Sequence, residues 1–152
     1  MASNHPLEYI FHPRHVAIAG ASQSGGGMGG GFLPSIVEMG FKGPIYPVNP
    51  RYDEVHGLQC YPSLRDCPTD VDYVISSVPA AVVPGLVEDC AAKHVKVIHF
   101  FTAGFSETGD ELVSVLRDSF DEVIGHADVQ RPRGATHDVD VIVARHGARG
   151  RD

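Results

Sequence analysis

The amino-acid sequence predicts an α/β protein built on a doubly wound parallel sheet, as a single domain of about 150 residues. Short apolar runs, rich in β-branched and aromatic residues, alternate along the chain with amphipathic segments. Most of these runs lack strict polar alternation, which is expected of parallel strands covered on both faces. The strand candidates are 15–20, 44–49, 71–79 and 95–103, and the helix candidates are 30–39, 80–94 and 109–119.

Turn and capping residues support the helix boundaries. Pro84 is compatible with the 80–94 helix because it falls in the first turn, where its missing N–H is not needed. Thr108 and Glu111 have the spacing of a capping box at the start of the 109–119 helix. Pro34 weakens the 30–39 helix, whereas Gly40 is a suitable residue to end it. The strands are then joined by right-handed crossovers.

Composition and charge exclude several classes of protein. There are 12 lysines and arginines against 19 aspartates and glutamates, so the net charge of −7 has the wrong sign for binding nucleic acid or an anionic membrane. We expect neither a secretory signal nor a membrane span, because the N-terminal residues and the rest of the chain lack the required apolar runs. Cys60, Cys67 and Cys90 form no CxxC pair, which favours buried thiols and a cytoplasmic location over a disulfide or zinc site.

Glycine is the most unusual feature of the composition. The chain contains 17 glycines, and six of them lie among residues 25–31, at the junction of the first strand and the first helix. A strand followed by a glycine-rich turn and a helix N-terminus is typical of phosphate binding, because unobstructed backbone N–H groups converge there. The segment is not a Walker A loop, since no Gly-Lys-Ser/Thr ends it. A flexible loop without a ligand is the alternative.

The end of the second predicted strand indicates which phosphate-bearing ligand is favoured. An NAD site expects an acidic residue there to hold the ribose hydroxyls, but the sequence has Asn49 and Arg51 and no acid before Asp53. Arg51, with Lys42 nearby in the sequence, suits a ribose that carries an extra phosphate, as in NADP or coenzyme A. Two solvated surface cations are the alternative.

Small or turn-forming residues end all four predicted strands, at Gly20, Asn49, Pro79 and Ala103-Gly104. In an open parallel sheet these ends lie along one edge, and ligands bind in the crevice beyond them. We therefore expect the ligand site at this edge.

The remaining reactive residues form no catalytic or metal-binding pattern. The nine histidines include no HExxH motif, and no GxSxG nucleophile elbow is present. His99 falls inside the fourth strand and is interpreted as a core histidine satisfied by its neighbours. Glu107 is a candidate base for which a loop-capping role is favoured. We therefore predict no catalytic residue and no metal site.

Four segments share their order and spacing with a known family. They are PRHVAIAGAS (13–22), GFKGPIYPVNPRYDEVHGLQCYPSLRDCP (40–68), VDYVISSVPAAVV (71–83) and TAGFSETGDE (102–111). Together they resemble the N-terminal CoA-binding domain of NDP-forming (ADP-forming) acyl-CoA synthetases, relatives of the succinyl-CoA synthetase α subunit. Beyond residue 118 the resemblance is lost.

The resemblance implies positions for coenzyme A. The turn after the first strand would approach the CoA phosphates, and the turn after the second strand would lie beside the adenosine 3′-phosphate. The turn after the third strand would border the nucleotide, and the turn after the fourth would lie toward the pantetheine. In chain order the matching residues are Gly20, Ala21, Ser22 and Gln23; Val48, Asn49, Pro50 and Arg51; Ser77, Val78 and Pro79; and Thr102, Ala103, Gly104, Phe105 and Glu107. Gly29 matches the helix entry, and Gly27 stands where the family usually has a lysine.

The sequence therefore predicts a Rossmann-like CoA-binding domain, residues 1–118, that belongs to or derives from an NDP-forming acyl-CoA synthetase. An atypical arginine-rich tail, residues 119–152, follows, and its apolar run 139–144 could form one further strand. The family's phosphohistidine and ATP-grasp parts have no match, so we expect CoA or acyl-CoA binding without turnover by the chain alone. Partners would be the missing ligase domains or an ATP-grasp subunit, and a homo-oligomer is left open. The alternatives are an NADP-dependent oxidoreductase domain and an interaction module with an empty loop.

Overall fold

The computed structural model of the chain describes residues 8–24, 28–101, 127–130 and 140–144. The helices are α1 Glu8–Phe11, α2 Met28–Glu38 and α3 Val83–Ala92. The strands are β1 Val16–Ala19, β2 Ile45–Val48, β3 Glu54–Val55, β4 Leu58–Gln59, β5 Tyr73–Ser76, β6 Val97–Phe100, β7 Ala127–Gln130 and β8 Asp140–Ala144. Short 3-10 turns occupy Leu64–Asp66 and Ala80–Val82. The predicted helix 109–119 lies outside the described residues. In the described part, no helix has the length and apolar character needed to cross a membrane.

Four parallel strands form the main part of the sheet, which confirms the predicted Rossmann-like α/β fold. The strand order is β2-β1-β5-β6-β8-β7, with β8 antiparallel to β6 and β7 antiparallel to β8. The chain passes from β1 outward to β2 and then returns to the other side of β1 to form β5. The direction of winding therefore reverses between β1 and β5, and doubly wound folds bind ligands at the carboxyl end of such a switch point.

Both faces of the sheet are covered by buried side chains. Ala17 and Ala19 of β1 belong to one buried cluster with Leu86 of α3, whereas Ile18 belongs to a second cluster with Leu33 of α2. Successive strand residues point to opposite faces, so covering both faces buries all four residues of β1. This is why the first apolar run shows no polar alternation in the sequence.

The helix ends follow the signals in the sequence, with one difference. Gly40 has φ +76° and ends α2, with its N–H donated to the Val37 carbonyl at 3.0 Å. Pro34 lies inside α2, which continues through it at the cost of one backbone hydrogen bond. The predicted 80–94 helix is divided into a 3-10 turn and α3, and Pro84 lies in the first turn of α3 as expected.

An ion pair joins the residues that precede β1 and β5 at the amino edge of the sheet. Asp72 is 2% exposed, and its carboxylate accepts hydrogen bonds from the backbone N–H, Nε and Nη2 of Arg14 at 2.9, 3.0 and 2.9 Å. Burial alone would raise the pKa of Asp72, but the hydrogen bonds and charge of Arg14 outweigh burial and lower it. The pair therefore fixes where both strands enter the sheet.

At the opposite, carboxyl edge, β1 and β5 approach so closely that a side chain after β1 has no room. Gly20 has φ +86°, and a Cβ built on it would lie 2.9 Å from Ser77 Oγ and 3.0 Å from the Ser77 carbonyl oxygen. Ser77 donates its backbone N–H and its hydroxyl to the Ala19 carbonyl, at 2.9 and 3.1 Å. Glycine is thus required at position 20 both for its positive φ and for the lack of space.

Arg14→Ala should lower the free energy of unfolding by about 1–3 kcal/mol, because it removes two of the three N–H donors to a buried carboxylate. Urea unfolding near pH 7 measures the loss. Arg65→Ala is the matched control, since the carboxylate that it unpairs, Asp89, is more exposed than Asp72, and its loss should be smaller than that of Arg14→Ala. Equal losses in the two variants would contradict the structural role of Asp72.

The difference in unfolding free energy between wild type and Arg14→Ala should depend on pH. Because folding lowers the pKa of Asp72, its ionised form stabilises the fold above the unfolded pKa of about 3.9. That contribution is lost as the pH falls through the lower folded pKa. The stability difference between wild type and Arg14→Ala should therefore shrink below about pH 4, and a difference that is constant with pH would rule out the ionised pair as its source.

Gly20→Ala should destabilise the fold more than Gly57→Ala. Both glycines have positive φ, +86° and +78°, so an alanine at either position incurs about 1–2 kcal/mol of backbone strain. Only the methyl at position 20 meets neighbouring atoms, which adds about 1–3 kcal/mol, whereas the space around Gly57 is open. Thermal unfolding of the two variants tests this, and equal losses would mean that the approach to Ser77 is looser than the structure indicates.

Candidate ligand site at the carboxyl edge of the sheet

Three loops meet at the carboxyl edge, following β1, β2 and β5. The ends of these strands are level, because Ala19 pairs in register with Val48 on one side and with Ser76 on the other. The described residues predicted to bind a ligand in these loops are Gly20, Ala21, Ser22, Gln23, Val48, Asn49, Pro50, Arg51, Ser77, Val78 and Pro79. Thr102, Ala103 and Gly104, predicted to complete the site after β6, lie outside the described residues.

The N-terminus of α2 opens on the same edge. The helix begins at Met28 soon after the loop that leaves β1, and Gly29 lies in its first turn. α2 packs back along the sheet, with Leu33 in one buried cluster with Ile18 of β1. Its unpaired N–H groups and the positive end of its dipole therefore lie at the carboxyl edge. Such a helix end attracts phosphate groups.

Asn49 ties the loop after β2 to the loop after β1. Its Nδ2 donates to the Ala21 carbonyl at 2.8 Å, and its Oδ1 accepts the Arg51 N–H at 3.0 Å. Its backbone N–H donates to the Tyr61 carbonyl at 2.9 Å. Both ends of the amide are therefore engaged in fixing the backbone of the site.

A hairpin beside these loops was not among the predicted elements. β3 and β4 pair antiparallel around His56 and Gly57, whose φ values of 50° and 78° are those of a tight primed turn. The His56-Gly57 pair between the apolar residues Val55 and Leu58 is the sequence signal from which this hairpin could have been predicted. The hairpin lies next to the loop after β1, because Gln23 Nε2 donates to the Glu54 carbonyl at 3.1 Å.

Two of the predicted side chains contribute to packing, and their neighbours carry the polar groups. Ala21 and Val48 are buried in the two core clusters, so they shape the edge through their backbone. Ser22 is half-buried, and its hydroxyl donates to the Ser24 carbonyl at 2.9 Å, which stabilises the turn after β1.

Arg51 supplies positive charge at this edge, and Lys42 does not. Arg51 follows β2, is exposed and forms no ion pair with a carboxylate in the described residues. Lys42 precedes β2, and the neighbouring Pro44 carbonyl accepts the Val16 N–H at 3.1 Å, beside the start of β1. Lys42, predicted to accompany Arg51 at the ligand, therefore lies at the amino edge, and the whole of β2 separates the two cations.

Cys60 and His99 do not provide the described part of the site with a nucleophile or a base. Burial raises the pKa of Cys60, so the thiol stays protonated, and its Sγ donates to the Asn49 carbonyl at 3.6 Å. His99 lies in β6 with Nδ1 at 3.1 Å from the Tyr73 hydroxyl, and burial lowers its pKa. Its Nε2 is buried without a described partner, so its neighbours satisfy one ring nitrogen and not both. Among the described residues, no cluster of metal-ligating side chains is present.

Comparison with known proteins shows the family to which this chain belongs. Residues 14–127 match the family model described as a CoA binding domain. The chain is 43% identical over 107 residues to an ADP-forming acetate–CoA ligase of Methanocaldococcus jannaschii, covering 70% of this chain and 15% of the ligase. It is 38% identical over 109 residues to the α subunit of ADP-forming acetate–CoA ligase I of Pyrococcus furiosus, covering 69% of this chain and 24% of the subunit.

A solved structure with the same fold is the dinucleotide-forming acetyl-coenzyme A synthetase 1 of Ca. Korarchaeum cryptofilum in complex with phosphate and ADP. It superposes with a TM-score of 0.73 at 39% identity, over 78% of this chain and 26% of that one. The chain thus spans about a quarter or less of the length of these relatives. On the match to the family model and the identity to the ligases, the chain belongs to the CoA-binding domain family and is homologous to a region of ADP-forming acyl-CoA synthetases.

Proposed function

We propose that this chain binds coenzyme A or an acyl-CoA at the carboxyl edge of its sheet, as the CoA-docking part of an ADP-forming acyl-CoA synthetase. The observation that carries the proposal is the meeting of three strand-end loops, a helix N-terminus and the exposed Arg51 at one switch point. Membership of the CoA-binding domain family supports the same ligand.

The phosphates of CoA have two kinds of partner at this edge. The loop of residues 20–23 and the first turn of α2, including Gly29, would hold the pyrophosphate, because the N–H groups at a helix N-terminus have no partner within the helix and attract an anion. The Arg51 guanidinium would pair with the 3′-phosphate of the adenosine, since it is exposed and has no described carboxylate partner. Asn49 and Pro50 set the position of Arg51 by forming the turn that precedes it.

The remaining predicted positions would border the rest of the cofactor. Ser77, Val78 and Pro79 follow β5 across the switch point and would form the wall beside the nucleotide. Thr102, Ala103 and Gly104 follow β6, and their assignment to the pantetheine side remains a prediction from the family resemblance. Bound CoA would supply its thiol as the acyl acceptor, and this chain would hold that thiol in place.

Turnover would require a partner. The relatives are several times longer than this chain, so we propose that ligase domains or an ATP-grasp subunit act together with it. The expectation that the chain alone does not turn over is part of the same proposal and stays a prediction.

CoA should stabilise the chain against thermal unfolding. At about 100 times the dissociation constant, a ligand that binds only the folded state adds about 2.7 kcal/mol. Differential scanning fluorimetry with CoA, NADP, NAD and no ligand compares the candidates directly. If NADP raises the midpoint of thermal unfolding and CoA does not, the hypothesis of an NADP-dependent oxidoreductase domain replaces the proposal. No shift with any ligand would favour an interaction module.

Arg51→Ala should weaken CoA binding about tenfold, the loss of one charge-assisted contact, and should weaken 3′-dephospho-CoA binding much less. Lys42→Ala is the matched control, because Lys42 lies at the opposite edge of the sheet and should leave both affinities unchanged. Isothermal titration calorimetry of wild type and the two variants with both ligands measures the six dissociation constants. Equal losses for CoA and 3′-dephospho-CoA would remove the contact between Arg51 and the 3′-phosphate.

A further inference from the structure

We propose that Gln23 is a positioning residue that joins the β3–β4 hairpin to the loop after β1, so that the hairpin becomes a wall of the ligand site. This inference rests on the proposed function and deepens it, because it assigns to the CoA site a segment that lies outside the strand-end positions implied by the resemblance. The assignment comes from the contacts of one exposed side chain.

The Gln23 amide bonds the backbone of the hairpin at two points. Its Nε2 donates to the Glu54 carbonyl at 3.1 Å, and its Oε1 accepts the His56 N–H at 3.5 Å. In an extended strand, the carbonyl of one residue and the N–H of the residue two positions later point to the same side. The Gln23 side chain therefore takes the place of a neighbouring strand along the outer edge of β3.

The outer edge of β3 would otherwise be unpaired. β3 pairs only with β4 within the described residues, and a strand edge exposes N–H and C=O groups that need partners. A glutamine side chain is suited to this edge because its amide offers one donor and one acceptor, as a peptide group does. The contact spans 31 residues of sequence, from Gln23 to Glu54, so it links two parts of the chain that are distant in sequence.

The other end of the hairpin is fixed to β2 and to the core. The Cys60 N–H donates to the Asp53 carbonyl at 2.8 Å, and the Tyr61 N–H donates to the Pro47 carbonyl at 2.9 Å. Val55 is fully buried in the cluster that includes Leu33 of α2. The hairpin is thus held by β2 and α2 on one side and by Gln23 on the other, which aligns its tip with the loop that approaches the CoA phosphates.

The position of Gln23 makes this contact relevant to ligand binding. Gln23 follows Gly20, Ala21 and Ser22 directly, within the segment proposed to hold the pyrophosphate, yet both ends of its own amide are directed at the hairpin. It therefore acts on CoA through the hairpin and the loop backbone and not through its side-chain amide. Binding of CoA to the loop should in turn slow the opening of the hairpin.

Gln23→Met tests the inference, because it keeps the length of the side chain and removes both hydrogen bonds. Gln59→Met is the matched control for exchange, since Gln59 is an exposed glutamine of the same hairpin whose side chain forms no hydrogen bond with the described residues. Hydrogen exchange of the amides of residues 54–60 is measured for wild type and both variants, with and without CoA. Without ligand, Gln23→Met should exchange about threefold faster or more in this segment, and Gln59→Met should match wild type.

Calorimetric titration of CoA completes the test. Gln23→Met should bind CoA about fivefold more weakly, and Lys42→Ala at the opposite edge should bind as wild type does. CoA should slow hairpin exchange in wild type more than in Gln23→Met. Unchanged hydrogen exchange in Gln23→Met without ligand would overturn the proposed contact between Gln23 and the hairpin, whatever the CoA affinities are. Faster exchange with unchanged CoA affinity would overturn the role of the hairpin in the site. Failure of wild type to bind CoA would instead overturn the proposed function. Hydrogen exchange without ligand would still show whether Gln23 holds the hairpin.

Discussion

Gly20 and Ser77 hold β1 and β5 at backbone contact where the winding of the sheet reverses. The Ala19 carbonyl accepts both the N–H and the hydroxyl of Ser77, and the missing Cβ of Gly20 allows that approach. The separation of the loops beyond these strands is therefore set by the sheet and not by a ligand. A site that is ordered in advance loses less entropy on binding, so its backbone N–H groups can contribute more of their interaction to affinity.

Two neutral amides extend this order outward from the strands. Gln23 uses its donor and its acceptor on the backbone of the hairpin, whereas Asn49 donates to the loop after β1 and accepts from the Arg51 N–H of its own loop. An aspartate or glutamate at either position would keep the acceptor, lose the donor and bring a negative charge beside the proposed phosphate position. The amides therefore stabilise the loops without repelling an anion.

The sequence predicts a feature when the residues that determine it are close together in the chain. Strand ends and their common edge depend on local periodicity and on parallel order, so Gly20 and Asn49 could be assigned to the same edge. Arg51 and Lys42 are close in sequence, but they lie beyond the two ends of β2, so the same parallel order places them at opposite edges of the sheet. Asp72 could be recognised as a strand-entry residue, whereas its bonds to Arg14 require knowing that β1 and β5 are neighbours.

The net charge of the chain and the charge of the proposed ligand are both negative, and local placement reconciles them. A net charge of −7 repels anions at long range, but at physiological ionic strength the Debye length of about 8 Å screens most of that repulsion. Arg51 and the N-terminus of α2 lie at the carboxyl edge, where they would act on a phosphate at shorter distances than that. The net negative charge would repel an extended polyanion such as nucleic acid along its length. A single cofactor would contact only the carboxyl edge of the sheet.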